Sequence, residues 1–239
     1  MRHLISLILI AGILIAGLCL PLPAQAEESH AQARKTMVER QIRDRGITGE
    51  KVLSAMTSVP RHAFVPETRQ GAAYQDRPLP IGHGQTISQP YIVALMTELL
   101  DLDRGDRVLE VGTGSGYQAA ILAEIVSRVY SVEIVRPLHE RSAGVLERLG
   151  YDNIETDHRD GYYGWPEHGP YDAIIVTCAS EFVPPPLIDQ LKPGGRMCIP
   201  VGPPFKVQHL ILIRKNQGGE LTTTIIGSVR FVPLVRQGN

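Results

Sequence analysis

Val108-Leu109-Glu110-Val111-Gly112-Thr113-Gly114-Ser115-Gly116-Tyr117 carries most of the architectural information in this chain. A short apolar run enters a turn with glycine at every second position, and the turn opens a helix, as at the ligand-binding end of an α/β sheet. Glycine there allows tight backbone geometry and close approach of a ligand to the main chain. A dinucleotide fingerprint starting at Gly112 would need glycine at position 117, where Tyr117 stands, and Gly116 falls one residue early. Glu110, at the end of the strand, would repel a pyrophosphate. S-adenosylmethionine has no phosphate and carries an ammonium and a sulfonium, so Glu110, Gly112, Thr113, Gly114 and Ser115 are candidate contacts for it. A tight strand-to-helix turn without a ligand is the alternative.

On either side the chain alternates strand and helix. Strands are expected at 107–111, 128–132, 154–156, 173–177, 196–201 and 209–214, with a last one near 223–231. Helices are expected at 91–100, from the glycine turn to about Ile125, and on to Leu149. This is βαβ grammar and predicts a doubly wound, mostly parallel α/β sheet with antiparallel pairing at its C-terminal edge. Glu133 then ends the second strand, where an acid suited to ribose hydroxyls belongs; a helix cap is its bland alternative. Asp160-Gly161, after the third strand, is a candidate for the adenine amino group, though Asp-Gly is also an ordinary turn signal.

N-terminal to the sheet, residues 29–56 have a partial helical face broken at Arg45-Gly46, and residues 59–90 are rich in Pro and Gly, which predicts a long ordered loop. The first residues have the grammar of a secretory signal: Arg2 and His3, an apolar run 4–20, Pro21, Pro23 and the small-residue site Ala24-Gln25-Ala26. The expectation is an exported, periplasmic or secreted protein cleaved after Ala26, with 27–90 and 91–239 forming one compact unit. A membrane anchor is the rival, disfavoured by the two prolines. Net charge of −1, from 24 basic and 25 acidic residues, excludes a broad polyanion-binding surface, so no nucleic acid partner is expected. Cys178 and Cys198 sit in apolar stretches and read as buried thiols; no His and Cys spacing indicates a metal site.

Two further segments narrow the reading. The stretch Ala73-Tyr74-Gln75-Asp76-Arg77-Pro78-Leu79-Pro80-Ile81-Gly82-His83-Gly84-Gln85-Thr86-Ile87-Ser88-Gln89-Pro90 resembles the signature loop of the protein-L-isoaspartate O-methyltransferases. Gly164-Trp165-Pro166, 170–177 and 190–196 resemble that family's later blocks, and the likeness runs from about Met37 to beyond Gly202. It implies a Rossmann-like class I methyltransferase fold with an N-terminal helical and loop extension, S-adenosylmethionine over the glycine turn, and an isoaspartyl protein or peptide beneath the 84–90 loop. The family's active-site serine corresponds to Ser88, its substrate-orienting neighbours to Gln85, Thr86 and Ile87, and Thr177 lies near the reaction site by the same likeness. His83, Arg159 and Cys178 depart from the residues familiar at those positions.

A carboxylate acceptor is ionised at neutral pH, so no strong base is called for, and Ser88 is expected to orient the acceptor. Its alternative role is to cap the helix that follows. Two other functions compete: a methyltransferase for another acceptor, and a non-catalytic peptide-binding protein on the same fold. A monomer is expected.

Overall fold

The computed structural model describes residues 23–236. The 4–20 run and Cys19 lie outside the described residues, and with them the leader reading; Ala24-Gln25-Ala26 falls at the start of α1 (Pro23–Met37). No described helix is long and apolar enough to cross a membrane.

Helix α1 continues through a widened turn, Val38–Ile42, and a 3-10 turn, Arg43–Arg45, before Gly46 at φ 94° ends it. Helix α2 (Glu50–Ser58) follows, so the expected helical pair, broken at Arg45-Gly46, is present. Residues 59–90 depart from the expected loop. They contain 3-10 turns at Arg61–Phe64 and Glu67–Ala72 and an antiparallel hairpin, β1 (Leu79–Gly82) and β2 (Gln85–Ile87). Pro80, a bulge between Pro80 and Gly82, and the successive left-handed residues Gly82, His83 and Gly84 hide its strand pattern in the sequence.

After α3 (Pro90–Leu100) come β3 (Arg107–Val111), α4 (Tyr117–Ala123), β4 (Arg128–Glu133), α5 (Arg136–Arg148), β5 (Ile154–His158) and β6 (Tyr171–Val176). The chain closes with α6 (Pro185–Asp189), β7 (Leu191–Val201), β8 (Gln208–Lys215) and β9 (Leu221–Val229). Strand order is β5-β4-β3-β6-β7-β8-β9. It is parallel from β5 through β7, and β8 and β9 return antiparallel. Strand β7 starts five residues before the expected position 196, because Leu191 already pairs with Tyr171 ahead of a bulge spanning Pro193-Gly194-Gly195.

Consecutive strand residues face opposite sides of the sheet. Val108, Val129, Ala173, Ile175 and Cys198 share one apolar cluster with the buried faces of α2, α3, α4 and α5, including Leu53, Met96, Ile121 and Leu138. Leu109, Val111, Val132, Ile174 and Met197 face the other way, onto Trp165, Tyr171 and Leu187. The winding is thus unequal, with a thick helical layer on one side and aromatic 3-10 turns with α6 on the other. Met37, Ile42 and Met56 of the N-terminal extension lie in the first cluster, so the extension packs on the core as one body. Chain order reverses about β3, which pairs with β4 on one side and β6 on the other, and the strands' carboxyl ends open there into a crevice.

Candidate active site

At that crevice the β3 turn forms one wall of a cavity that also takes in the end of β4 and the strand β2. Gly112, at φ 98°, accepts a hydrogen bond from Thr177 Oγ1 on its carbonyl at 2.6 Å, and a Cβ added to it would stand 2.7 Å from that same hydroxyl. The turn therefore needs glycine twice over, for its dihedral and for the packing of β6 against it.

Two carboxylates enter from neighbouring strands. Glu133 is 6 % exposed and takes both local amides, Gly114 N–H on Oε2 and Val135 N–H on Oε1, each at 2.8 Å. It thereby ties the glycine turn to the start of α5. Glu110 is fully buried; its Oε2 accepts from Ser131 Oγ, itself 2.6 Å from Thr113 Oγ1. Its Oε1 has no hydrogen-bond partner among the described residues. Burial raises its pKa to about 8, with the nearby Glu133 charge adding to the effect and the Ser131 bond opposing it.

A buried carboxylate oxygen without a partner is costly unless a ligand completes it. An ammonium-bearing cofactor does so, and the donor set fits S-adenosylmethionine: acidic groups and backbone around the turn, with no arginine or lysine among the lining residues. Glu110, Gly112, Thr113, Gly114, Ser115, Glu133 and Gly161 line this cavity, as do Gln85, Thr86, Ile87, Ser88 and Thr177. Asp160 is absent from the lining. Its Oδ1 accepts the Tyr162 N–H and its Oδ2 faces Arg236 Nε at 3.0 Å, so its carboxylate is turned into an ion pair that is 5 % exposed on the acid side. Gly161 takes the wall instead, and a Cβ there would lie 2.5 Å from Val111 Cγ1. The unfamiliar Arg159 bonds Asp157 and Glu167 and lies over Trp165, away from the cavity wall.

A second, outer cavity is walled by Pro78, Gln89, Ile92, Val207, Ser228, Arg230 and Phe231 among others. Thr86, Ser88, Thr177 and Val232 line both cavities, so the two meet at a seam of three hydroxyls. Ser88 does not cap α3: the N-cap is Gln89, and no side chain bonds the first amides. The thiol of Cys178, on the inner wall, is pushed up by burial and then by Glu133, which keeps it protonated. Cys178 and Cys198 are both buried free thiols, with no disulfide between them.

Two parts of the site were not anticipated from the sequence. Arg61, 0 % exposed, donates Nε to the Ala73 carbonyl and Nη2 to the Ser88 carbonyl, both at 2.7 Å, and lies over the ring of Tyr117, itself on the inner wall. Burial lowers its pKa to about 10, so it remains charged at neutral pH. Arg61 thus fixes the backbone on both sides of the hairpin. The other part is the C-terminal segment, where Val232, Pro233, Leu234 and Val235 close the inner cavity. Ala179 hydrogen-bonds it through Val232 O and Leu234 N, and the Arg236–Asp160 pair anchors its end. Val232, Leu234 and Val235 give a signal in the sequence only as apolar residues beyond the last expected strand.

Comparison with known proteins agrees with this geometry. The family model described as Protein-L-isoaspartate(D-aspartate) O-methyltransferase matches residues 32–239. A relative from Nitrosospira multiformis, protein-L-isoaspartate O-methyltransferase 1, is 56 % identical over 220 residues, 91 % of this chain and 92 % of its own. One from Opitutus terrae is 52 % identical over 229 residues, covering 96 % and 97 % of the two chains. Among solved structures, a protein-L-isoaspartate O-methyltransferase superposes with TM-score 0.77 at 33 % identity, over 84 % of this chain and 65 % of that one. A Plasmodium falciparum structure assigned to the same activity, in complex with S-adenosyl-L-homocysteine, gives TM-score 0.72 at 30 % identity, over 84 % and 98 %. With the family model spanning the sheet, the seam and the N-terminal extension alike, the chain belongs to the protein-L-isoaspartate(D-aspartate) O-methyltransferase family.

Proposed function

We propose that this chain methylates the stray carboxylate of L-isoaspartyl residues, with S-adenosylmethionine in the inner cavity and the damaged peptide in the outer groove. The observation that carries the reading is the seam, where Thr86, Ser88 and Thr177 border both cavities. When bound, S-adenosylmethionine supplies a methyl carbon made electrophilic by its sulfonium. Glu110 and the backbone of the glycine turn hold the amino-acid end of the cofactor, and Glu133 its ribose.

An isoaspartyl carboxylate, with an ordinary pKa of about 4, is already a nucleophile at pH 7, and the seam needs no general base. Ser88 donates its hydroxyl hydrogen to one carboxylate oxygen and turns the other toward the inner cavity, while Arg61 holds the Ser88 backbone still. Rate then comes from alignment at roughly 3–3.5 Å in a site with little water. Gln85, Thr86 and Ile87 meet the acceptor end of the peptide where it crosses the seam into the inner cavity they line, and recognition through main chain suits substrates that share a backbone error and differ in sequence. Arg230 is the cationic residue of the outer groove and draws the anionic acceptor in. The ester carries a better leaving group, methanol, than the free carboxylate does. The neighbouring amide nitrogen then attacks its carbonyl, methanol departs with the amide proton, and water reopens the succinimide partly to normal aspartate without further help from the enzyme.

Ser88→Ala is expected to lower kcat/KM for an isoaspartyl peptide about 10- to 100-fold, as for one hydrogen bond to a charged group, with cofactor affinity unchanged. Equal kcat/KM in the variant rejects the orienting role. Export completes the proposal: the basic start, apolar run and Ala24-Gln25-Ala26 support cleavage after Ala26. Mass spectrometry of the protein from fractionated cells should find a chain starting at Glu27 outside the cytoplasm; an intact cytoplasmic chain refutes it. Light scattering on the same sample tests for the monomer.

A further inference from the structure

On α1, Glu27 and His30 are three residues apart and so share a face of the helix. Across from them stands His62, in the 3-10 turn Arg61–Phe64. The rings of His30 and His62 stack with centroids 3.9 Å apart at 25°, and His62 Nε2 lies 3.5 Å from Glu27 Oε2. One ligand atom from each of the three residues falls within 4.8 Å of the other two. No sequence spacing signals this group, because its members are brought together by packing over more than thirty residues of chain.

The surroundings of His62 match those of a metal ligand. Its other ring nitrogen, Nδ1, is 2.7 Å from the Tyr74 hydroxyl, which also accepts from Arg34 Nη1 at 3.3 Å. A tyrosine oxygen can accept both bonds. With Nδ1–H donating to Tyr74, the lone pair of Nε2 points at Glu27, the arrangement in which a hydrogen bond on one ring nitrogen fixes the other for coordination. The His62 side chain is 13 % exposed and Glu27 is 61 % exposed, so an ion can enter from solvent and keep water ligands.

We propose that Glu27, His30 and His62 bind one divalent ion of the zinc class, with water completing the shell. Two imidazoles and a carboxylate suit zinc, nickel or copper better than calcium or magnesium. None of the three residues lines either active-site cavity, so the ion is structural: it clamps α1 to the turn that carries Arg61. All three follow Ala26 and would stay with an exported chain.

The test is calorimetric titration of the chelator-treated full-length protein with zinc chloride, repeated on His30→Ala, His62→Phe and Tyr74→Phe. His62→Phe keeps a stacked ring without a ligand atom. The expected result is one equivalent bound with a rise in Tm, loss of both in the two histidine variants, and affinity about 10- to 100-fold weaker in Tyr74→Phe, which removes the hydrogen bond on His62 Nδ1 and leaves all three ligands in place. Cobalt in place of zinc should give visible absorption that also disappears with His30→Ala. No binding with zinc in about tenfold excess, or binding undiminished in the histidine variants, overturns the proposal and leaves a stacked histidine pair.

Discussion

Glu110 costs stability in the free protein and returns it on binding. Its folded pKa of about 8 is above the ordinary 4.5, so between those values the native state keeps a proton that the unfolded chain has released. The free protein's stability should therefore fall as pH rises through that window. Glu110→Gln should flatten this fall, raising Tm at pH 8, and at the same time weaken S-adenosylmethionine binding by about 10-fold or more, because a charge-assisted bond to the ammonium is lost. Calorimetry in buffers of different ionisation enthalpy should detect proton release on binding near pH 7 with the native chain and none with the variant. Arg61 makes a second residue-scale prediction: Arg61→Met strands two carbonyls, at about 1–3 kcal/mol each, and should lower Tm and kcat, while Arg61→Lys should recover part of the stability and little of kcat. The placement of Glu110, Glu133 and Gly112 at the cavity was legible in the sequence because each stands at or just beyond the carboxyl end of a strand in a βαβ pattern. Arg61 was not, since its partners lie 12 and 27 residues away and nothing local marks it.

Elements with a plain signal were read within a few residues: β3 and β4 are short runs buried on both faces of the sheet, and α3 and α5 end near their expected limits. The β1–β2 hairpin escaped because its register depends on a bulge and three left-handed residues, features of tertiary fit that composition reports only as loop. The segment carrying Val232–Val235 escaped for a related reason. It joins the sheet through an isolated parallel bridge, Ala179 to Pro233, and is held at its end by the Arg236–Asp160 pair, and its value lies in what it covers. Arg236→Ala should release that cover and weaken cofactor binding by less than about 10-fold, an effect that shrinks with added salt, since the pair is partly exposed. Gly112→Ala should do more. The added methyl meets Thr177 Oγ1, so β6 and the turn separate and cofactor binding is lost in calorimetry while the remaining fold persists.

For the molecule as a whole, the mostly parallel sheet and its antiparallel C-terminal edge were legible in the alternation of strands and helices, whereas the strand order and its reversal about β3 come from the structure. What the sequence alone could not supply is the meeting of two cavities, because they are built from segments as distant as Thr86 and Val232. That meeting point makes selectivity for the acceptor the central claim. The direct measurement gives the purified protein labelled S-adenosylmethionine and two peptides identical but for one residue, L-isoaspartate or L-aspartate. The account predicts base-labile methyl ester on the isoaspartyl peptide and none above background on its aspartyl twin. Equal labelling of both, or labelling of neither by a protein that binds the cofactor, would contradict it.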